Sequence, residues 1–384
     1  MAAQVSSGAL PGIVTLIAQG DEVDVDPIGT VALHAAEPMR PDTIFRIASM
    51  TKPILAAATM ILVEDGTIRL DEPIDRLLPE MANPQVLRRV DGAVDDTVPA
   101  VRPITVDDLL TFRFGWGHVY DPAYDPPIDP PIPILSAASE LRLTLGPPDP
   151  RTPHDPDEWI RRFASLPLMY QPGERWMYNA GSLVLGVLVA RAAGRSLPDF
   201  LDQRIFAPLG MTSTGFQLPD DYTGTLPTPY ATDPATGKLA VASDAAATDW
   251  TEPPAFPSGA GGLLSTANDF LAFARVLLHD GAFGGTRILS PESVHAITTN
   301  HLTAEQRSTG DPILAGNGWG YGVVVVTDPD EFSAVPGRYG WDGGYGTAWF
   351  NDPHRDLIGI ALTQVHDFLV NGGSAEFEAL ALDS

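Results

Sequence analysis

The chain of 384 residues contains no cysteine, which excludes disulfides, thiolate metal sites and cysteine nucleophiles. Lysine is almost as scarce: Lys52 and Lys238 are the only two among 23 basic residues, the rest being arginine. No run of 18 apolar residues occurs, so no transmembrane helix is expected. The opening residues Met1 to Gly8 lack the basic and apolar regions of a signal peptide, so a cytoplasmic protein is expected. Acidic side chains number 49, and the formal net charge of −26 argues against nucleic acid and anionic membranes as partners. His-Glu-x-x-His, a phosphate loop and a dinucleotide fingerprint are all missing, so neither a metal nor an organic cofactor is expected. Without a Gly-x-Ser-x-Gly elbow, an α/β-hydrolase loses its main support. What is present is 44% hydrophobic and 8% aromatic residues, enough for a normal core in one large domain or two intertwined ones.

The scarcity of lysine makes Lys52 informative. A chain that uses arginine for its surface cations keeps lysine where arginine cannot serve. Arginine stays protonated, whereas a lysine in a low-dielectric pocket can lose its proton and act as a base. Lys52 follows Ser49 by three residues, the spacing of the Ser-x-x-Lys nucleophile–base pair. The run 54–63 is almost wholly apolar and is followed by Gly66, which reads as a buried helix with a glycine stop. Pro53 is tolerated only in a first turn, so the helix starts close to Ser49. Residues three apart share a helix face, and the Ser49 hydroxyl and Lys52 amine can meet there, beside free N–H groups that favour an oxyanion. Tyr178 stands just ahead of a second apolar helix and is a candidate acid/base. The glycine-rich stretch 339–346, containing Trp341, Gly343, Gly344 and Tyr345, lets backbone approach a ligand closely. An N–H there opposite that of Ser49 makes an oxyanion hole.

Strand patterns lie at 12–18, 21–26 and 29–34, and again at 320–327, 345–350 and 357–363, with a turn at 352–356. One sheet therefore draws on both chain ends. Helix patterns fall at 105–112, 156–165, 180–194 and 198–206. The stretch 121–156 carries 11 prolines and is expected to hold no regular element, as a pocket wall, a lid or a rigid excursion. The expected division is a discontinuous α/β sheet domain, 1–75 with 225–384, and an inserted helical, loop-rich domain, 76–224. His366, just after the last strand, is expected to be structural at the pocket border.

Ser49-x-x-Lys52, then Tyr178 roughly 130 residues later, then Trp341-Asp342-Gly343 resemble the three ordered motifs of the serine β-lactamase and penicillin-binding-protein superfamily. The class C β-lactamase-like branch is the best match, and within it the family VIII carboxylesterases. Stretches 45–70, 104–112, 172–186, 206–211 and 258–281 resemble the same family. The resemblance implies an α+β fold: an antiparallel sheet flanked by helices, with a mainly helical insertion. It implies Ser49 as the acylated nucleophile, Lys52 and Tyr178 sharing general base and acid duties, and the N–H groups of Ser49 and Gly344, or else Tyr345, as the oxyanion hole. Three departures stand out. The family's Tyr-x-Asn reads Tyr178-Asn179-Ala180, which removes or displaces the substrate-orienting amide. Its Lys-Thr-Gly or His-x-Gly reads Trp341-Asp342-Gly343. Its first helix is barely present before Gly8, so either the start lies upstream or a sheet edge is bare. The expected activity is hydrolysis of small neutral esters through an acyl-enzyme. The alternatives are amide, β-lactam or D-amino-acid peptide hydrolysis, acyl transfer, or a non-catalytic binding protein on the same scaffold. The partner expected is a small-molecule ester, and the sequence carries no signal for oligomeric state.

Overall fold

The computed structural model describes residues 1–383 apart from 125–126, 243–246 and 328–335. A seven-stranded antiparallel sheet is built from both chain ends: β1 (Gly12–Gln19), β2 (Glu22–Gly29), β3 (Gly318–Trp319), β4 (Val324–Val325), β5 (Tyr339–Gly343), β6 (Thr347–Asp352) and β7 (Leu357–Leu362). The strand order is β3-β4-β5-β6-β7-β1-β2. β1 joins the ends, pairing Val14 with Leu362 on one side and Gly12 with Gly29 on the other. Side chains alternate faces along a strand, and here both faces are covered. Val14, Leu16, Ile360 and Leu362 enter the main core, while Ile13, Phe350 and Ala361 enter a second cluster on the opposite face. The edge strand β2 carries Glu22, Asp24, Asp26 and Pro27, and charge and proline at an edge discourage pairing with another chain.

On the main-core side lie α1 (Thr51–Glu64), α2 (Ala180–Ala193) and α3 (Ala267–Leu278). α1 buries all but its last two residues, and α2 buries its first ten, so both are central helices hydrophobic nearly all round. They pack on each other, and the segment around Gly259 slots between them. A Cβ on Gly259 would sit 2.8 Å from the Ser182 carbonyl and 2.9 Å from Leu55, so only glycine fits. This contact sets the spacing of the helix ends that carry Ser49 and Tyr178.

The structure corrects several expectations. Residues 29–34 are not a strand: β2 ends at Gly29 with φ 81°, and the chain turns at His34 with φ 62°. The pattern at 320–327 is broken: Gly322, φ 73°, turns the chain where a Cβ would lie 2.8 Å from the Lys52 carbonyl, leaving only β4. The proline-rich stretch does hold a helix, Pro133–Glu140, because Pro133 occupies its first turn, where no N–H is needed. The 198–206 helix changes to a π-type turn from Asp202 to Phe206. A terminal helix, α4 (Gly373–Asp383), was not foreseen; its Phe377 and Ala381 join the second cluster with Leu10, beside the short helix Ala2–Ser6. That sheet face is therefore covered, while β2 remains an outer, largely exposed edge strand. Among the described residues no single helix is long and apolar enough to cross a membrane.

Candidate active site

Ser49 lies in a 3-10 turn, Ala48–Met50, that runs directly into α1. The preceding Ala48 holds φ 45°, a left-handed conformation costly for a residue with a Cβ. The turn is held from three sides. The Ile47 N–H donates to the Leu263 carbonyl at 3.1 Å. The Thr347 hydroxyl donates to the Ile47 carbonyl at 3.1 Å. Gly343 packs so closely that a Cβ would sit 2.3 Å from the same carbonyl.

Lys52 Nζ lies 2.9 Å from Ser49 Oγ and donates to the Ala260 carbonyl at 2.6 Å. The side chain is 1% exposed, and its ammonium is driven well below the usual lysine range by burial alone. Nζ also lies 4.6 Å from the centre of the Tyr178 ring. Tyr178 is hydrogen-bonded to Ser49, and its hydroxyl accepts from Trp341 Nε1 at 2.9 Å. Burial pushes the phenol above its usual value, outweighing the downward pull of those two bonds. The serine thus faces an amine and a phenol that both favour their neutral forms.

A cavity of about 360 Å³ opens over Ser49 and Tyr178. Gly344 and Tyr345 line it, at the turn between β5 and β6. A Cβ on Gly344 would meet nothing within 4 Å, as expected of backbone facing open space. Trp341 and Gly343 are not among the lining residues: Trp341 stands behind Tyr178, and Gly343 is packed under Ile47. Asn179 lines the cavity, but its amide donates to the Leu145 carbonyl at 2.6 Å. His366 also lines it, packed edge-on to Tyr345 with ring centres 5.0 Å apart, and burial lowers its pKa.

Two features escaped the sequence reading. Arg46, 1% exposed, donates to the Pro227 carbonyl at 2.8 Å and to Gln364 Oε1 at 3.2 Å, and lies over the rings of Trp250 and Tyr345. Burial brings its pKa to about 10. No carboxylate neighbours it in sequence, so nothing in the pattern marked it. His118 and Asp129, brought together from the two arms of a loop, also line the cavity. No spacing rule joins residues eleven apart in an irregular segment. Among the described residues no cluster of His, Asp and Glu could hold a metal ion.

A serine beside a buried amine whose charged form burial disfavours, a phenol, and a turn lining the same cavity are the groups that serine hydrolase and acyltransferase chemistry needs. The chain belongs to the β-lactamase family, whose sequence model matches residues 1–381. It is 40% identical over 367 residues to an uncharacterised protein of Mycobacterium tuberculosis, covering 93% of this chain and 86% of that one. It is 31% identical over 372 residues to esterase EstB of Burkholderia gladioli, covering 92% and 86%. The solved structure of EstCE1, described as a hydrolase with promiscuous acyltransferase activity, superposes with a TM-score of 0.80 at 24% identity, covering 99% of this chain and 95% of that one. The fold is of the β-lactamase/transpeptidase type, as the three motifs implied.

Proposed function

We propose that the protein hydrolyses small neutral carboxylic esters through an acyl-enzyme on Ser49. The observation that carries this reading is the cavity lining. Among the described residues it contains no arginine and no lysine, and its one acidic side chain is Asp129. A substrate carboxylate, such as that of a β-lactam or a cell-wall peptide, finds no cation there. A lost charge-assisted hydrogen bond forfeits about 1.5–3 kcal/mol, or roughly 10- to 150-fold. Pro147, Pro148, Ile128 and Ala260 offer an apolar wall for a short acyl chain instead. The 31% identity to an esterase supports the reaction type.

In the proposed acylation the Ser49 proton passes to the neutral Lys52 amine as Oγ attacks the ester carbonyl. The oxyanion is received by the N–H groups of Ser49 and Gly344. Tyr178, kept protonated by burial, gives its proton to the leaving alkoxide and recovers one from Lys52. Acyl transfer to an alcohol would use the same acyl-enzyme, and the fold shared with EstCE1 keeps that second reading in play.

The test compares kcat/KM for a short-chain p-nitrophenyl ester and for nitrocefin. The ester should win by at least tenfold; equal or higher efficiency on nitrocefin would make the protein a β-lactamase. Ester product formed with and without an added short alcohol distinguishes transfer from hydrolysis.

A further inference from the structure

The acylation machinery leaves one pair of reactive side chains at the cavity unused. Asp129 Oδ2 lies 2.5 Å from His118 Nδ1, and its Oδ1 accepts from the Val119 N–H at 2.9 Å. The Asp129 N–H in turn donates to the Val119 carbonyl at 2.7 Å, so backbone and side chain clamp the two arms of the loop together. An ionised carboxylate is only an acceptor, so in the neutral imidazole this pairing selects the tautomer with the proton on Nδ1 and the lone pair on Nε2. Nε2 has no protein hydrogen-bond partner among the described residues.

The imidazole is registered on the catalytic tyrosine. The His118 N–H donates to the Tyr178 carbonyl at 3.0 Å, and the two rings lie 5.9 Å apart at 31°. Gly117 permits this approach, since a Cβ there would sit 2.6 Å from that carbonyl. His118 is thus one ring away from the serine and shares its cavity.

We propose that the His118–Asp129 dyad is the base that activates the incoming water in the second half of the reaction. The inference rests on the acyl-enzyme reading above. Lys52 is suited to the serine proton but poorly placed for a solvent molecule: it is 1% exposed and engaged with Ser49 and Ala260. His118 keeps 18% of its side chain exposed, so water reaches it. The 360 Å³ cavity holds a short acyl group together with a water, whose share of liquid volume is about 30 Å³. Nε2 takes one water proton as the water oxygen bonds to the acyl carbon. The tetrahedral intermediate then breaks its C–Oγ bond, and the Ser49 oxygen takes the proton of the acid product through Tyr178. The imidazolium releases its proton to solvent. Water and acyl-serine become serine, a carboxylate and one proton. Asp129 fixes the ring's tautomer and stabilises the imidazolium as it forms.

The experiment is pre-steady-state hydrolysis of a short-chain p-nitrophenyl ester, with intact-mass spectrometry of the protein. His118→Gln keeps a polar side chain but cannot accept the proton. It should leave acylation within a few-fold of wild type and lower kcat by about a hundredfold or more, the usual general-base contribution. p-Nitrophenol should then appear as a burst of one equivalent, and the acyl adduct on Ser49 should persist. Asp129→Asn should give a smaller loss of the same kind, and the fold should survive it because asparagine tolerates the φ of 52° held there. Imidazole added to His118→Ala should restore turnover above the background of Ser49→Ala, which a merely structural histidine would not show. Unchanged kcat, or acylation and turnover falling together without an accumulating adduct, would overturn the dyad while leaving the esterase reading intact. A wild-type protein that neither hydrolyses esters nor labels at Ser49 would overturn both.

Discussion

Replacing Trp341 by phenylalanine separates the chemistry of Tyr178 from its packing. The indole N–H donates to the Tyr178 hydroxyl at 2.9 Å. Its ring meets Trp319 edge-on at 4.8 Å and Tyr178 at 5.5 Å, contacts that a phenyl ring largely keeps. A hydrogen bond between neutral groups contributes about 0.5–1.5 kcal/mol, and one to a charged group about 1.5–3 kcal/mol. If Tyr178 gives up its proton in the transition state, the bond strengthens as charge appears on the phenol oxygen. The differential part, about 1–1.5 kcal/mol, is lost only in the transition state and corresponds to roughly a 5- to 12-fold fall in kcat. KM for a short p-nitrophenyl ester should change less than about twofold, since the indole does not line the cavity. In a Tyr178→Phe background the same substitution should cost almost nothing further, because the acceptor has gone. An unchanged kcat for Trp341→Phe would refute charge development on Tyr178. A loss above about a thousandfold would show that the indole itself touches the reacting atoms.

Ser49→Ala should abolish fluorophosphonate labelling and lower ester turnover by at least about a thousandfold; near-normal turnover would remove it as nucleophile. Lys52→Arg should be nearly as inactive as Lys52→Ala, and the acid limb of the wild-type rate profile, shared by the coupled Lys52–Tyr178 pair, should lie well below the ordinary lysine range because burial depresses the amine. Lys52→Met should raise Tm at pH 7, since below about pH 10 the unfolded chain binds a proton that the buried folded amine resists, so stability there is lost as pH falls. Burial, reinforced by Glu378 and opposed by Arg338, lifts the Asp342 carboxyl to about 7. Its folded pKa exceeds its unfolded value, so stability is lost as pH rises from about 4 to 7. Asp342→Asn should therefore raise Tm at pH 8 and leave it unchanged near pH 4; equal gains at both would point to packing alone.

The residues that were legible in the sequence are those whose neighbours lie close along the chain. Ser49 and Lys52 are one turn apart, and the helix that brings them together is announced by its apolar run and Pro53. Sheet strands with full burial, such as β7, were legible from continuous apolar stretches. Positions where tertiary contact overrides local pattern were not. The run of valines near 324 reads as a long strand, but the close pass of Gly322 over the Lys52 carbonyl breaks it. Pro133 was read as a breaker although at a helix start it breaks nothing. α4 offers Phe377 and Ala381, with Leu382 partly buried beside them, to the core, too sparse a stripe to signal a helix beside two glycines. The burial of Trp341's N–H against Tyr178, and the pairing of His118 with Asp129, depend on segments that meet only in the fold.

The site's backbone shows why precise placement was needed. Ala48 precedes Ser49 with φ 45°, Asn179 follows Tyr178 with φ 85°, and Asp129 holds His118 from φ 52°. These three non-glycine residues at positive φ each adjoin, or bond directly to, Ser49, Tyr178 or His118. Aspartate reaches the left-handed region at modest cost and alanine does not, while Asn179, with ψ −57°, lies outside it; such conformations cost about 1–3 kcal/mol each. The strain at Ala48 persists because Leu263, Thr347 and Gly343 fix the turn from separate elements. A glycine at 48 would relieve the strain but widen the range of orientations open to Ser49. The nucleophile is thus held by over-determined packing rather than by a favourable local conformation. The same logic applies to Lys52: α1 and the segment around Gly259 and Ala260 enclose the amine, and that burial lowers its pKa well below the usual lysine range. Stability is given up at the very residues that would carry the chemistry, and the two buried helices whose ends converge on the cavity supply what offsets it.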